Sequence, residues 1–147
     1  MDVLAISCLG PRAQFHQIDR MHNEIAAVHG GILDTIPVSL AVLNEFRQVL
    51  FTNVQFNRML KLQESSSVLG KRLGEICGCS NAQSSLSGCG TSRSCPGCPV
   101  FKAVYRAGLG EGLCEPTVLP AVGAIRVCTG WGASVGNLLQ VCAIFPV

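Results

Sequence analysis

The sequence has few charged residues and no block of basic ones. Only 14% of its 147 residues are charged, and its formal net charge at pH 7 is +2. A surface that binds nucleic acid concentrates Lys and Arg, so this balance argues against DNA or RNA as a partner. Hydrophobic residues make up 48% of the chain. This composition predicts a folded domain in which a partner, such as a second copy, covers some of the apolar surface.

Long apolar runs are also missing. No segment approaches the length that crosses a bilayer, and the first ten residues contain Asp2 but no basic stretch of the kind that opens an export signal. We therefore expect a cytoplasmic protein without a membrane span. In that setting the nine cysteines are better explained as thiols or metal ligands than as disulfides. Their odd number rules out complete internal pairing.

Patterns that carry enzyme chemistry are absent as well. The sequence contains no Ser–His–Asp arrangement, no paired carboxylates and no phosphate-binding loop, since the glycines of 108–112 follow a predicted helix and precede no Lys-Ser/Thr pair. His16, His22 and His29 all lie on one predicted helix. We favour the interpretation that these histidines are solvent-exposed. The alternative is a haem or metal role for His22 and His29, which share a face of the helix. We expect a protein that is not an enzyme.

An amphipathic helix is predicted over residues 14–33. Its apolar side chains recur at steps of three and four residues, close to a heptad pattern: Phe15, Ile18, Met21 or His22, Ile25, Val28 and Ile32. Two interpretations follow from this stripe. The helix packs on its own domain, or it forms a dimer with a second copy.

The rest of the chain predicts strands and short helices in a fixed order. The predicted elements are strands Val38–Leu43 and Gln48–Phe51 joined at Asn44, a helix capped by Thr52 or Asn53, a helix over Val68–Ile76, a helix from Pro99 to Gly108, and strands Thr117–Val122, Ala124–Thr129 and Leu138–Phe145. Residues Gly130–Asn137, with Trp131, are predicted as a turn. Strands joined by short links pair antiparallel, so the order predicts an α+β fold with a five-stranded antiparallel sheet.

Residues 77–98 differ from the rest of the chain. The segment is rich in Gly, Ser and Cys and has no hydrophobic period, and its cysteines are spaced Cys77-x-Cys79-x9-Cys89-x5-Cys95-x2-Cys98. Four thiolates hold zinc or an iron–sulfur cluster. Gly88, Gly90 and Gly97 allow tight turns, and the helix dipole at Pro99 favours thiolates just before it. The alternatives are a redox switch of reversible disulfides or reactive thiols, and reduced thiols with no sensing role.

Several stretches resemble the opening of a PAS domain: Leu33–Pro37, Val42–Asn44 and Val49–Asn53, followed by Phe56 and Leu60 at the apolar positions of the next helix. The resemblance covers about residues 25–147, including the three final strands. It implies a PAS-like five-stranded antiparallel sheet with short helices on one face and an N-terminal helix. The domain organisation is then a tail and amphipathic helix at 1–32 and a sensory domain at 33–147, with a cysteine-rich insertion at 77–98.

The cysteine segment resembles an insertion in PAS domains of certain bacterial sensor histidine kinases. The matching residues are Gly78-Cys79, Gly88-Cys89-Gly90-Thr91-Ser92 and Cys95-Pro96-Gly97-Cys98. The resemblance implies Cys79, Cys89, Cys95 and Cys98 as metal ligands, with Cys77 outside the set.

The function that the resemblance implies is bacterial signal transduction. It implies a sensor of redox state or oxygen that forms a homodimer through its first helix and acts on a histidine kinase or another output domain. No kinase core follows before Val147, so the chain is either a stand-alone sensor or part of a longer protein. The rival hypotheses are a domain that binds a small ligand and an interaction scaffold whose cysteines hold only a structural metal. The remaining cysteines, Cys8, Cys114, Cys128 and Cys142, are expected to be structural.

Overall fold

A computed structural model describes residues 12–108, 113–119, 123–134 and 137–146. The helices are α1 (Phe15–Thr35), α2 (Val54–Met59), α3 (Leu73–Ile76), α4 (Ser80–Ser84) and α5 (Pro99–Gly108), with 3₁₀ turns at Ser65–Val68 and Cys95–Gly97. The strands are β1 (Ser39–Leu43), β2 (Val49–Thr52), β3 (Leu113–Leu119), β4 (Gly123–Ser134) and β5 (Asn137–Pro146). Among the described helices, none combines the length and apolar character needed to cross a membrane.

The five strands form one antiparallel sheet in the order β2-β1-β5-β4-β3. The last strand, β5, lies at its centre, where Cys142 pairs with Ala41 of β1 and Ile144 pairs with Val127 of β4. The short helices are all inserted between β2 and β3. The predicted α+β fold with a five-stranded antiparallel sheet is therefore confirmed.

Each face of the sheet carries its own hydrophobic cluster. Because successive side chains of a strand point to opposite faces, Ala41 and Leu43 of β1 join the cluster under α2, α3 and α5, which includes Phe56. Val42, between them, joins Ile18 and other residues of α1 in the second cluster. The N-terminal helix thus packs on the face opposite the short helices.

The apolar stripe of α1 is divided between two environments. Ile18 and Ile25 are buried against the sheet, which agrees with a helix packed on its own domain. Val28 and Ile32 are 70% and 67% exposed, and Phe15 is exposed as well. One side of the predicted stripe therefore packs internally, and another side faces outward.

Asn53 joins α1, β1 and α2. Its Oδ1 accepts hydrogen bonds from the backbone N–H of Leu40 (2.9 Å) and of Phe56 (3.0 Å), so Asn53 is the residue that caps α2. Its Nδ2 donates to the carbonyl oxygens of Leu33 (3.1 Å) and Val38 (2.7 Å). Asn53 is fully buried, and these contacts satisfy its polar atoms while fixing the end of α1 to the sheet.

The prediction of one helix over Val68–Ile76 was wrong. The chain forms a 3₁₀ turn and then α3, with Gly70 between them at φ +78°. The backbone here pairs with the edge of β2: Gly70 N donates to Val49 O, and Val49 N donates to Lys71 O, each at 2.8 Å. These groups bond to a distant strand and so cannot form the i to i−4 bonds of a helix.

The boundaries of the later strands also differ from the prediction. β3 begins at Leu113 instead of Thr117, and it includes Pro116, which an edge strand tolerates. The predicted turn at Gly130–Asn137 was wrong for residues 130–134 and for Asn137, since β4 continues through Trp131, which pairs with Gln140, and β5 begins at Asn137. Pairing along the length of β5 overrides the local turn preference of the glycines. Residues 135–136 of the predicted turn lie outside the described residues.

Candidate functional site

Three short segments carry the cysteines of the insertion, and the first of them, Cys77–Cys79, holds its two cysteines apart. Gly78 has φ +75°, a left-handed conformation that ends α3 and turns the chain sharply. Cys77 is 1% exposed and joins the hydrophobic cluster beside the sheet, whereas Cys79 is partly exposed and lines a cavity that Cys77 does not line. The backbone N–H of Cys79 donates to Gly74 O at 2.8 Å, which holds this turn. The local geometry thus separates two cysteines that the spacing alone did not distinguish.

The second segment is a tight loop built on glycine. Gly88 and Gly90 flank Cys89 and have φ +82° and +89°, which residues with a side chain rarely adopt. The Thr91 hydroxyl donates to Gly88 O at 2.7 Å and closes the loop. Cys89 is thereby presented toward α3.

The third segment, Cys95–Cys98, leads directly into α5. Cys95 opens a 3₁₀ turn, and the backbone N–H of Cys98 donates to Cys95 O at 2.9 Å. Cys98 immediately precedes Pro99, the first residue of α5. The third segment therefore places Cys98 at the N-terminal end of α5.

The four predicted ligands line one cavity of about 110 Å³. Its lining contains Cys79, Cys89, Cys95 and Cys98, together with two arginines and apolar residues. Gly74 of α3 allows the first two segments to meet, because a Cβ built there would lie 2.7 Å from Cys89 Sγ and 3.3 Å from Cys79 Cβ. Three separate segments therefore bring four thiols to one space.

Two buried guanidinium groups border the cavity. Arg72, only 1% exposed, donates from Nη1 to Cys89 O at 3.1 Å and from Nε to Phe46 O at 2.9 Å. Arg47 is also buried, donates to Cys89 O at 3.3 Å, and lies over the ring of Phe101. Burial lowers the pKa of both, and at about 10 the pKa of Arg72 still leaves its guanidinium charged at neutral pH.

Burial also acts on the thiols. It raises the pKa of Cys89 to about 11, although the charge of Arg47 opposes the rise. The same effect raises the pKa of Cys77 to about 11. Metal binding at Cys89 would require loss of its proton, so binding there would release protons and depend on pH.

The donor set suits a metal centre made of sulfur ligands. Thiolates favour zinc and iron–sulfur clusters over hard cations. Within the described ranges, no three His, Cys, Asp or Glu side chains are grouped closely enough to hold a single ion as they stand. The four cysteines nevertheless line one cavity together.

The other candidates from the sequence lie elsewhere. His22 is half-buried, with Nδ1 at 2.8 Å from Leu50 O, while His16 and His29 are exposed on α1. Cys142 of β5 is buried in the hydrophobic cluster that contains Phe56, as expected for a structural cysteine. Cys114 and Cys128 occupy paired positions of β3 and β4, whereas Cys8 and residues 109–112 lie outside the described residues.

Sequence reasoning missed the polar residues of the site. Arg47 and Arg72 stand among surface-type residues in the sequence, and no local pattern distinguishes a buried arginine from an exposed one. Glu75 is also unmarked by any local sequence pattern, although its carboxylate accepts a hydrogen bond from Cys89 N (3.3 Å). Gly74 carried a weak signal, because glycine within a predicted helix indicates a close approach.

Comparison with known proteins supports the fold through structure alone. No protein-family model matches the sequence, and no curated protein matches it significantly. The PAS domain of BvgS from Bordetella pertussis has a TM-score of 0.55 at 15% identity, covering 85% of this chain and 88% of that chain.

Two further structures have similar scores. The PAS domain of nitrogen regulation protein NR(II) from Vibrio parahaemolyticus has a TM-score of 0.52 at 9% identity, covering 82% of this chain and 98% of that one. The LOV protein of Rhodobacter sphaeroides has a TM-score of 0.53 at 12% identity, covering 86% of this chain and 67% of that one. The strand order, the inserted short helices and these similarities together identify the fold of this chain as that of a PAS domain.

Proposed function

We propose that the chain is a cytoplasmic sensory domain of bacterial signal transduction whose input is a metal centre held by Cys79, Cys89, Cys95 and Cys98. The domain is not itself an enzyme, and it acts on a histidine kinase or another output domain. The PAS fold supports the sensory part of this proposal. The observation that carries the rest is that all four cysteines line one and the same cavity.

The origin of the four thiols supports a specific site over a chance grouping. They come from the turn after α3, the Gly88–Gly90 loop and the 3₁₀ turn before α5. A loop segment with little apolar burial needs another source of order, which a shared metal provides. Cys77, from the same segment, lies instead in the hydrophobic cluster.

The charges around the cavity favour a metal centre that is anionic once its four thiolate ligands are counted. Four thiolates around a doubly charged metal centre carry a net negative charge. The buried guanidinium groups of Arg47 and Arg72 border the cavity and would attract such a centre in an environment of low dielectric constant.

Between the two metals, the cavity favours an iron–sulfur cluster. A single zinc ion draws four sulfur atoms to within about 2.3 Å of one point, whereas a cluster spreads its cysteine ligands around a larger body. A thiol-lined cavity of about 110 Å³ matches the second arrangement. A cluster would supply redox chemistry, so we infer that the signal is redox state or oxygen.

The test is purification of the chain without oxygen, followed by its visible spectrum and its iron, sulfide and zinc contents. We expect a brown protein with iron and acid-labile sulfide, and Cys79→Ala should lose both. Cys77→Ala is the matched control, because it removes a cysteine two residues away that lies in the hydrophobic cluster, and it should keep the wild-type metal content. Stoichiometric zinc instead of iron would support a structural metal.

An observation also favours a second candidate, a domain that binds a small ligand. The cavity has an extensive apolar wall, formed by Leu73, Ala82, Val100, Phe101 and Val104. Apolar walls with two convergent guanidinium groups suit a small anion with an apolar body. A metal-free protein, purified without oxygen and with the cysteine segment ordered, would favour this candidate and contradict the metal centre.

The output of the domain is proposed to pass through α1 to a second copy. Val28 and Ile32 form an exposed apolar area on a helix whose other side already packs on the sheet. Exposed apolar residues that adjoin along one helix are typical of an interface. A change in the metal centre would then shift the equilibrium between two packings of the dimer.

A further inference from the structure

The residues just before α1 are fastened to the segment that carries Cys89. Arg12, three residues before Phe15, forms a two-pronged ion pair with Glu75 of α3, and Nη1 lies 3.1 Å from Oε2. Its Nη2 also donates to Ser87 O at 3.0 Å. The start of α1 is thus bonded to a backbone group two residues from a predicted ligand.

Glu75 connects the same ion pair to Cys89. Its Oε1 accepts a hydrogen bond from Cys89 N (3.3 Å), and its Oε2 accepts one from Arg72 N (2.9 Å). The carboxylate and the Arg12 guanidinium lie directly against Gly88, where an added Cβ would meet both groups. A displacement of residues 87–89 would therefore move the bonding partners of Arg12.

A second contact that holds the residues before α1 does not involve residues 77–98. Ala13 N donates to Gln48 Oε1 at 2.7 Å, and Gln48 Nε2 donates to Gly70 O at 3.0 Å. Gln48 lies between the hairpin turn and the start of β2. Of these two contacts, only the one made by Arg12 involves the loop that carries Cys89.

We propose that the Arg12–Glu75 ion pair is the connection through which the state of the cysteine site reaches α1. This inference rests on the proposed function for the identity of the input. A change of occupant shifts residues 87–89, and the shift weakens or restores the Arg12 contacts at the start of α1. The other end of α1 carries the exposed Val28 and Ile32.

Hydrogen exchange of residues 12–22 tests the connection. The chain is loaded anaerobically with ferrous iron and sulfide and compared with the chelator-stripped protein. Stripping should raise exchange at 12–22 about tenfold, the effect of losing a charge-assisted contact. Arg12→Gln should show fast exchange in both states while its visible spectrum and iron content stay at wild-type values.

Arg20→Gln is the matched control, because it removes an exposed arginine of α1 itself and should behave like wild type. If iron and sulfide bind but exchange at 12–22 is equal in the loaded and stripped wild-type proteins, the connection is overturned and the metal centre stands.

A second variant tests the connection without any metal. Gly88→Ala presses directly on the Arg12–Glu75 pair and strains a left-handed position. In the metal-free chain it should raise exchange at 12–22 about tenfold, with no further rise in the Arg12→Gln background. Unchanged exchange at 12–22, in a variant whose exchange in β1 shows it is folded, would also overturn the proposal. Failure of metal binding alone would contradict only the proposed function.

Discussion

Gly74 sets how closely the first two cysteine segments approach each other. Gly74→Ala would place a Cβ 2.7 Å from Cys89 Sγ, closer than real Cβ contacts. Alanine is the better helix former by about 1 kcal/mol, so α3 itself should not be weakened. We expect the metal content of the anaerobically purified variant to fall at least about tenfold, since 1.4 kcal/mol of strain suffices for that.

Gly97→Ala is the control for this substitution. Gly97 also adjoins a predicted ligand, but a Cβ there meets no atom within 4 Å, and Gly97 has no positive φ. It should bind metal as the wild type does. Equal metal contents in the two variants would show that the approach of Cys79 and Cys89 is not required for binding.

Cys142 gives the fold a pH dependence in the alkaline range. Complete burial raises the pKa of its thiol from 9.0 to about 12, and the neighbouring Cys77 adds to the rise. Below pH 9 the thiol is protonated in both folded and unfolded chains. Above pH 9 only the unfolded chain releases the proton, so the free energy of unfolding falls by about 1.4 kcal/mol per pH unit.

Urea unfolding of the wild type and of Cys142→Ala at pH 8 and pH 10.5 measures this effect. The variant lacks the buried thiol and should lose less stability between the two pH values. Parallel losses in both proteins would mean that Cys142 ionises in the folded state.

At this scale, the four cysteines singled out in the sequence all line one cavity, whereas the polar residues beside them were not predicted. The resemblance selected Cys79 over Cys77, and the left-handed Gly78 supplies a physical reason for placing them apart. Arg47 and Arg72 could not be predicted, because their burial depends on the packing of segments far apart in the chain. Asn44 was predicted as a turn residue, and its Oδ1 accepts from Phe46 N and Gln48 N at 2.9 Å each.

At the scale of elements, α1 has two apolar sides with different roles. Ile25 is buried on the sheet, so a charge there would damage the fold and would not report on a dimer. Ile32→Asp introduces a charge on the exposed side instead. If α1 forms the dimer interface, sedimentation should show a shift toward monomer, with a weakening of at least about tenfold for a buried apolar side chain.

Ala27→Asp is the matched control, since Ala27 is exposed on α1 but stands away from Val28 and Ile32 around the helix. It should dimerise like the wild type. A wild-type chain that stays monomeric at high concentration, with α1 folded, would contradict the interface.

Elements with local signals were predicted, and those set by distant pairing were not. α1 and α5 carry helical periodicity, and Pro99 opens α5 as expected. The segment around Gly70 contains no local sign that it bonds to Val49, and Trp131 stands between glycines that favour a turn. In both cases backbone hydrogen bonds to another part of the chain decide the conformation.

At the scale of the whole molecule, residues 77–98 contribute few side chains to the hydrophobic clusters. Few of its side chains are buried, among them Cys77, Ala82 and Cys95. If a metal centre orders this segment, its removal should allow trypsin to cleave after the exposed Arg93.

We expect cleavage after Arg93 to be at least about tenfold faster in chelator-treated protein than in loaded protein, as followed by mass spectrometry. Lys61, an exposed site in the turn after α2, is the internal control and should be cleaved equally in both. Equal rates of cleavage after Arg93 in the two states would show that the metal does not order residues 77–98.

The two edges of the sheet restrict how copies of this chain aggregate. On one edge, Pro116 of β3 offers no N–H to an incoming strand. On the other, Gly70 and Lys71 already bond to Val49 of β2 and cover its start. Growth by strand addition, the route to fibrils, is therefore hindered at both edges of the sheet.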